Sequence, residues 1–442
     1  MAHPYLPHTE ADIRAMLDRI GVKTLDDLYA DVPEGCRKKG AYALPDALSE
    51  QEIRARFAAL EAENARLSVF VGQGAYDHYT PSVIPYLTQR SEFITAYTPY
   101  QCEISQGTLR YIFEYQSLIC ELTGLDVANA SMYDGPTAAA EAMMMCTAIA
   151  RKKTRVLLSG TLLPQVRKVA ETYARFHGVD ITVVPAEGGV TPLTAVQAEL
   201  AKGDVAGVIV PSVNRFGIVE DLSGFAEAIH AEKALLVVYS DPSALAVVKT
   251  PGEWDADIAV GEGQSLGLPL SYGGPYVGFM AVKKDHMRKM PGRIVGQTAD
   301  KEGRRAFVLT LQAREQHIKR EKATSNICSN ESLMALWVTI YLSLMGPEGL
   351  REVNRISTDG AHYLKTQLMG TGRFEDPFPE KPFLKEFVLK PVGESPAALQ
   401  ERLEKAGFFA ALPTEEGYVS FCVTEKRTKE ETDRLVAAVK EG

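Results

Sequence analysis

Short apolar runs alternate with amphipathic stretches through the middle of this 442-residue chain. The runs are rich in β-branched residues, and stretches of helical periodicity separate them. This alternation is typical of βαβ units, in which parallel strands form a sheet that helices cover on both faces. The pattern predicts strands at 155–160, 181–185, 205–213, 234–240 and 257–260, with helices at 163–176, 193–200 and 225–230.

Helical signals dominate on both sides of this alternation. Thr9 precedes a run of helical periodicity, and Thr24 and Ser49 each begin a capping-box pattern. These signals predict a helical arm over residues 1–68 that packs on its own domain or reaches a partner. Residues 69–330 form the predicted large α/β domain. Two helices interrupted at Gly346 follow, and then strands at 383–390 and 418–423 with helices at 397–406 and 430–440. Residues 331–442 are therefore predicted to form linking helices and a small C-terminal α+β domain.

Composition and charge exclude several classes of function. The chain has 45% hydrophobic and 24% charged residues, a mean hydropathy of -0.10 and a net charge of -9, as soluble globular proteins do. An acidic protein is not attracted to nucleic acid or to anionic membranes. We see no secretion signal and no apolar run of about 20 residues. The six scattered cysteines favour a reducing cytoplasm over disulfides, and no metal-ligand cluster is apparent.

Candidate chemistry centres on Asp241, which follows the predicted buried strand 234–240. In the large fold of pyridoxal-phosphate enzymes, such an aspartate pairs with the pyridine nitrogen, and a lysine just past the next strand holds the cofactor. Here Gln264 and Ser265 stand at about that place, and neither can form an imine. Asp134 would also put a carboxylate at a helix N-terminus that commonly receives the cofactor phosphate. The sequence predicts the frame of a cofactor enzyme without its nucleophile.

Residues 69–108 are rich in glycine, tyrosine, threonine and proline. Several of the tyrosines lie beside turn-forming residues instead of at helical spacing. Such a segment is either a structural loop with aromatic anchors or part of a functional cavity, because long loops often carry function. The candidates for lining a cavity are Tyr97, Thr98, Tyr100 and Gln101.

Five long stretches of the sequence resemble one family. They read VFVGQGAYDHYTPSVI (69–84), TAYTPYQCEISQGTL (95–109), ICELTGLDVANASMYDG (119–135), GEGQSLGLPLSYGGPYVGF (261–279) and MPGRIVGQTADKEGRRAFVLTLQAREQHIKREKATSNIC (290–328). On these stretches the chain resembles the alpha subunit, subunit 1, of the two-subunit glycine dehydrogenase (decarboxylating), the P-protein of the glycine cleavage system. The resemblance extends over roughly residues 5 to 440.

The resemblance implies a fold and a division of labour. The implied fold is that of fold-type-I pyridoxal-phosphate enzymes, aspartate aminotransferase-like, with a mostly parallel sheet in the large domain and a small C-terminal α+β domain. In this family the beta subunit carries the cofactor lysine in a segment similar to DxxHxNxHKT. Aligned on that segment, Asp257 begins the equivalent stretch here and Ser265 falls at the lysine. Asp241 would be a remnant of a cofactor-binding ancestor.

The family also implies a reaction and partners. The complex decarboxylates glycine, with pyridoxal phosphate bound by the beta subunit as the electron sink, and passes the aminomethyl group to the lipoyl arm of H-protein. This chain would complete the partner's site in an α2β2 assembly, with no cofactor of its own. Arg314, His317 and Asn326 join the loop residues as cavity candidates, since an arginine can orient a carboxylate and a histidine can donate a hydrogen bond. A structural or intersubunit role explains these three equally well.

Two other hypotheses remain open from the sequence. The chain could be a stand-alone aminotransferase or lyase that uses an atypical lysine, such as Lys249, although Lys249 precedes the second strand and would need a different geometry. It could also be a non-catalytic scaffold that recruits the lipoyl-carrying protein.

Overall fold

The computed structural model of the chain describes residues 5–94, 96–323 and 325–441. The chain divides into two compact units, Met1–Ala65 and Arg66–Gly442. This boundary lies near the predicted end of the helical arm. The further division that we predicted at residue 330 stays a prediction.

The first unit consists of short helices with strong N-terminal caps. Helices α1 (Glu10–Ile20) and α2 (Glu50–Ala62) each begin with a capping box, at Thr9 and at Ser49, and the box at Ser49 was predicted. The third capping box, at Thr24, begins a single 3₁₀ turn, Leu25–Tyr29. No described residue of this unit is buried, so the unit has no hydrophobic core of its own.

The second unit contains the remaining helices and the strands. Its helices are α3 (Val83–Thr88), α4 (Gln106–Thr123), α5 (Gly135–Ala150), α6 (Pro164–His177), α7 (Leu193–Leu200), α8 (Phe225–Ala231), α9 (Gln316–Lys319), α10 (Ser332–Met369), α11 (Pro396–Lys405) and α12 (Lys429–Lys440). Its strands are β1 (Ser68–Val69), β2 (Val127–Ala128), β3 (Arg155–Ser159), β4 (Asp180–Val184), β5 (Val205–Pro211), β6 (Leu235–Ser240), β7 (Ile258–Glu262), β8 (Gly278–Val282), β9 (Ile294–Ala299), β10 (Arg305–Thr310), β11 (Phe374–Glu375), β12 (Glu386–Pro391), β13 (Phe408–Phe409), β14 (Leu412–Pro413) and β15 (Val419–Cys422).

A seven-stranded sheet with the order β2-β8-β7-β6-β5-β3-β4 forms the centre of this unit. Strands β7, β6, β5, β3 and β4 are parallel to their neighbours in that run, which confirms the predicted βαβ architecture. Strand β8 is antiparallel to both of its neighbours. The carboxyl ends of β6 and β7 therefore lie side by side, and they carry Asp241 and Gln264–Ser265.

Two features of this region were missed by the sequence analysis. Strand β8 follows a glycine-rich turn and was taken as part of it, and the β9–β10 hairpin has polar residues along both strands. Strand β2 is only Val127–Ala128, because the backbone beyond it makes separate bonds: Ala130 N donates to Arg293 O at 2.8 Å and Met132 N to Gly278 O at 2.8 Å.

Apolar side chains fill both faces of the sheet. One core cluster packs α5 and α6 against one face, a second packs α7 and α8, and a third joins α4 and α10 to strands β7 and β8. The C-terminal part has its own cluster, between α11, α12 and the four-stranded sheet β11-β12-β15-β14.

Helix α10 joins these regions. The predicted break is a kink within it, where Gly346 has φ 59° and ψ -177°. By length and composition α10 is long and apolar enough to cross a membrane, which the sequence analysis did not anticipate. One face of the helix, with Ala335, Val338 and Tyr341, is buried in the protein core, whereas Leu333 and Leu344 are exposed.

Candidate functional site

At the carboxyl end of β6, Asp241 is already bound by the chain's own side chains. Lys385, next to β12, places its ammonium 2.6 Å from Asp241 Oδ2. Ser265 Oγ donates to Asp241 Oδ1 at 2.5 Å, and Ser243 donates to both carboxylate oxygens through its hydroxyl. Lys385 Nζ also lies 3.9 Å from the ring centre of Tyr76. A lysine ammonium thus takes the position that a pyridinium would need.

Lys385 also contacts a second pair of residues, His78 and Glu425. Lys385 Nζ donates to His78 Nε2 at 2.9 Å, and His78 Nδ1 lies 2.6 Å from Glu425 Oε2. Burial and the adjacent Lys385 lower the pKa of His78, so His78 accepts from the lysine in its neutral form. Burial alone would raise the pKa of Asp241, but the charge of Lys385 and the hydrogen bonds from Lys385 and Ser265 lower it. Asp241 and Lys385 therefore form a buried ion pair.

The N-terminus of α5 is also satisfied from within the chain. Asp134 accepts a hydrogen bond from Thr137 N at 2.7 Å, as predicted for an N-cap, and Glu262 Oε2 accepts one from Gly135 N at 2.9 Å. Burial raises the pKa of Glu262 to about 8, so a carboxylate, Asp134, and a largely protonated carboxyl group, Glu262, occupy the positive end of this helix. A cavity of about 180 Å³ beside them is lined by Asp134, Tyr239 and Glu262, among others.

These groups do not fit pyridoxal phosphate. The ring-nitrogen partner is neutralised by Lys385, the covalent lysine is replaced by Ser265, and Asp134 and Glu262 stand where a phosphate dianion would bind. Each change removes one of the three attachments that the cofactor makes in this type of fold. The remaining cavity is also smaller than the roughly 300–1,000 Å³ of ordinary ligand pockets.

The loop candidates lie on the surface of the second unit. Tyr97 is 85% exposed and Tyr100 is 48% exposed. Ser329 Oγ donates to the Tyr97 hydroxyl at 3.1 Å. Gln101 is exposed and Thr98 is partly buried. Their role in a cavity shared with a partner stays a prediction.

Arg314 is bound to the backbone of its own chain. Its guanidinium donates to the carbonyl oxygens of Met290, Gly292 and Leu311, with distances of 2.9 Å to Gly292 and 3.2 Å to Leu311. These bonds favour the structural alternative for Arg314, in which it fixes the turn before β9, and its role in a shared cavity stays a prediction.

His317 and Asn326 lie in different surroundings. The ring of His317 packs 5.4 Å from that of Tyr100, and its Nδ1 lies 3.6 Å from Glu315 Oε2. Asn326 accepts a long hydrogen bond from Gln316 at 3.4 Å and lines a different cavity of about 290 Å³, together with Glu141. The structure thus brings His317 to the tyrosine loop and places Asn326 at a separate cavity.

Two residues near these sites were not selected from the sequence. Lys385 stands just before a C-terminal strand, and Arg293 lies between the apolar residues Met290 and Ile294. A charged residue inside an apolar run is an available signal, because lone charges are rarely buried without a specific partner. The alternative residue Lys249 is exposed and rests 4.2 Å from the ring centre of Trp254. Within the described residues, no group of three potential metal ligands is found.

Comparison with known proteins identifies the family. Residues 3–439 match the family described as Glycine cleavage system P-protein. The chain is 48% identical over 442 residues to the "Probable glycine dehydrogenase (decarboxylating) subunit 1" of Desulforamulus reducens, covering 98% of each chain. It is 49% identical over 443 residues to the protein of the same name in Moorella thermoacetica, covering 99% of each.

Solved structures agree with this family and with the fold. The chain is similar to the crystal structure of glycine decarboxylase (P-protein) of the glycine cleavage system in inhibitor-bound form, with a TM-score of 0.91 and 44% identity over 100% of both chains. A glutamate decarboxylase of Lactobacillus brevis, 13% identical with a TM-score of 0.68 over 94% of this chain and 96% of its own, shares the fold alone. The fold is therefore that of fold-type-I pyridoxal-phosphate enzymes, as expected, and the chain belongs to the glycine cleavage system P-protein family.

Proposed function

We propose that the chain is the subunit without cofactor in a two-subunit glycine dehydrogenase (decarboxylating), and that it completes an active site whose pyridoxal phosphate is held by the partner, subunit 2. The relatives' name, subunit 1, implies such a partner. In the partner, the cofactor would supply an electron sink for the loss of carbon dioxide from glycine.

The observation that carries this proposal is the internal ion pair of Asp241 and Lys385, with Nζ and Oδ2 2.6 Å apart. A pyridine ring cannot bind Asp241 without displacing Lys385, and Ser265 offers no amine. The chemistry of the cofactor must therefore take place on another chain. This chain's contribution is to bind, to orient and to exclude water.

The surface of the second unit has apolar features that suit binding of another protein. A groove of about 610 Å³ between α3, α4 and α10 is lined by apolar side chains, among them Val83, Leu87, Phe93 and Leu344. Tyr86, Ile94 and Tyr97 are more than half exposed. Exposed apolar surface of this kind is typical of protein interfaces. We assign this face to subunit 2, in an α2β2 assembly that receives the lipoyl arm of H-protein.

The exchange of bicarbonate with the carboxyl group of glycine tests the proposal. The measurement is made in the presence of lipoylated H-protein, with this chain alone, with subunit 2 alone and with both. Activity only in the mixture is expected. Activity from this chain alone would contradict the assignment, as would full activity from subunit 2 alone.

Absorbance provides an independent test. Incubated alone with pyridoxal phosphate, the chain should show no visible band from an imine. A band that disappears in Lys249→Ala would favour the stand-alone enzyme instead. The scaffold hypothesis is tested by replacing H-protein with free lipoate. A chain that only recruits H-protein would then not be needed for bicarbonate exchange by subunit 2. The proposed subunit should be needed both with H-protein and with free lipoate.

A further inference from the structure

Arg293 is a buried arginine whose Nε has no hydrogen-bond partner. It is 3% exposed, and no hydrogen bond is found from its terminal nitrogens to the residues that the structure describes. Its contacts are an ion pair with Glu315, with Nε and Oε2 3.7 Å apart, and the ring of Tyr100, whose centre lies 5.5 Å from Cζ. Burying a guanidinium without hydrogen-bond partners is costly, so such a group needs an explanation.

Comparison with other arginines shows how unusual this is. Arg167, Arg215 and Arg427 also have a buried Nε without a partner, but each uses a terminal nitrogen in a hydrogen bond with a glutamate or aspartate. Within the described chain, Arg293 differs from these three in that its terminal nitrogens make no such bond.

Unpaired polar atoms are concentrated around this residue. Among the described residues, six buried side-chain nitrogen or oxygen atoms lack a partner, and three of them belong to Asn129, Arg293 and Glu315. Asn129 donates to the carbonyl oxygen of Pro291 at 3.0 Å, which places it beside the turn that carries Arg293. Half of the buried polar atoms without a partner therefore lie around Arg293.

The geometry leaves one side of the guanidinium open. The carboxylate of Glu315 lies on the Nε side of the guanidinium. The two terminal nitrogens, which form the fork, therefore have no carboxylate partner among the described residues. Tyr100 covers the guanidinium and is itself 48% exposed, with the ring of His317 5.4 Å away on the same surface. The half-exposed side chain of Tyr100 therefore separates Arg293 from solvent.

We propose that Arg293 is a carboxylate-binding residue whose ligand comes from outside this chain, reaching the terminal nitrogens past Tyr100 and His317. Arginine suits this task because its planar fork matches the two oxygens of a carboxylate. Two sources carry that chemistry: the carboxylate of glycine, which rests on the function proposed above, and a carboxylate side chain of subunit 2. The sequence analysis offered the same role to Arg314.

The test compares glycine with methylamine, which lacks the carboxylate, in the complex with subunit 2. Equilibrium binding of both ligands and glycine–bicarbonate exchange are measured for the wild-type chain, Arg293→Gln and Arg293→Lys. If glycine is the ligand, Arg293→Gln should weaken glycine binding and raise its KM about 10- to 100-fold, while methylamine binding is unchanged. Arg293→Lys should retain part of the effect, because it keeps the charge and loses the fork.

A carboxylate of subunit 2 gives a different result. In that case Arg293→Gln should weaken association of the two subunits about 10- to 100-fold, and the ratio of glycine to methylamine affinity should not change. Both results support a carboxylate ligand and identify its source. If neither quantity changes in a folded variant, Arg293 is a structural arginine satisfied by water and the proposal is wrong.

Two further variants keep this test decisive. Arg304→Gln, on the turn of the same hairpin with its side chain 75% exposed, should match the wild-type chain in every measurement. If Arg293→Gln fails to fold because Glu315 is left uncompensated, the double variant Arg293→Gln with Glu315→Gln removes both charges and should give the same loss. A wild-type mixture without exchange activity would contradict the proposed function instead, so the two failures are distinguishable.

Discussion

At the residue scale, Lys385 is the side chain that fills the partner position of Asp241. Lys385 neutralises Asp241 from a position outside the central sheet, and His78 and Glu425 extend the network. Replacing both members of a buried ion pair is often tolerated, whereas removing one leaves an uncompensated charge. The pair connects β6 with the segment that begins β12, and it supports the proposal that the cofactor is held by subunit 2.

Stability measurements should expose this pair. We expect Lys385→Met and Asp241→Asn each to lower the free energy of unfolding by about 3–5 kcal/mol, and the double variant to recover much of that loss. The control is Lys390→Met on β12, which breaks the exposed pair of Lys390 with Glu375 on the neighbouring strand β11 and should cost less than about 1 kcal/mol. Denaturant titration measures each value, and equal losses for Lys385→Met and Lys390→Met would contradict the burial argument.

The pH dependence of the same pair has a definite sign. The pKa of Asp241 is lowered in the folded chain below its ordinary value of 3.8, mainly by Lys385 acting against the effect of burial. The pair therefore stabilises the fold at pH above that value, and this contribution disappears as the pH falls through the lower folded pKa. Acid unfolding curves should be less steep below pH 4 in the double variant than in the wild-type chain.

Glu141 shows the opposite shift. Burial raises its pKa to about 7, and the hydrogen bond from Ser325 only partly opposes this. Because the folded chain holds the proton more tightly, the free energy of unfolding should be greatest near pH 4 and fall up to about pH 7. Glu141→Gln should raise stability by roughly 1–3 kcal/mol at pH 8 and little at pH 4.5. Glu171→Gln, an exposed carboxylate on α6, should keep the wild-type pH profile.

At the scale of elements, local sequence defines where helices begin and end. Asp134 caps α5 and, with Glu262, uses the helix N-terminus that would otherwise bind an anion. The left-handed Gly124 ends α4. In α10, Gly346 takes a backbone conformation with φ 59° and ψ -177° that only glycine adopts readily, so the kink depends on one residue.

Substitution of that glycine should be costly. Gly346→Ala adds no steric contact, since nothing lies within 4 Å of the new Cβ, but it forces alanine into a conformation costing about 1–3 kcal/mol. Gly107→Ala, in the first turn of α4 and with equally open space, should leave stability unchanged or raise it by up to about 1 kcal/mol. Thermal unfolding of the two variants distinguishes backbone strain from crowding, and similar melting temperatures would contradict the backbone argument.

At the scale of the whole molecule, the two units differ in whether they contain a hydrophobic core. The core clusters lie entirely within Arg66–Gly442, and the described part of Met1–Ala65 has no buried residue. A segment without a core is stable only when another surface covers its apolar side chains. The missing core of the first unit and the apolar groove of the second both favour the assembly proposed above.

The groove gives a direct prediction about association. Leu344→Asp, which places a charge on a 53% exposed position that lines the groove, should weaken binding to subunit 2 at least about tenfold. Val392→Asp, at a 42% exposed apolar position after β12, is the matched control and should bind as the wild-type chain does. Sedimentation or surface binding measures both, and equal affinities would remove the groove from the interface.

Strands β3, β5, β6 and β7 could be predicted because each is a nearly continuous buried run. The capping boxes at Thr24 and Ser49 could be predicted because their partners are three residues apart. Strand β8 and the β9–β10 hairpin were missed because a glycine-rich turn and polar strand faces hide the periodicity. At the site, Asp241 and Ser265 were selected from their place after successive strands, and the structure brings them within 2.5 Å. Lys385 lies 144 residues after Asp241, and a charge beside an apolar run does not tell which residue it pairs with.

The sequence by itself determined the fold class, the missing lysine and the family, because these depend on local periodicity, on the identity of one residue and on long stretches of similar sequence. Only the tertiary structure decided which charges meet: that Lys385 occupies the partner position of Asp241, that Arg314 is consumed by carbonyl oxygens and that Arg293 is left unpaired. Charge pairing depends on distances of a few ångströms between residues far apart in the chain, and no spacing in the sequence encodes those distances.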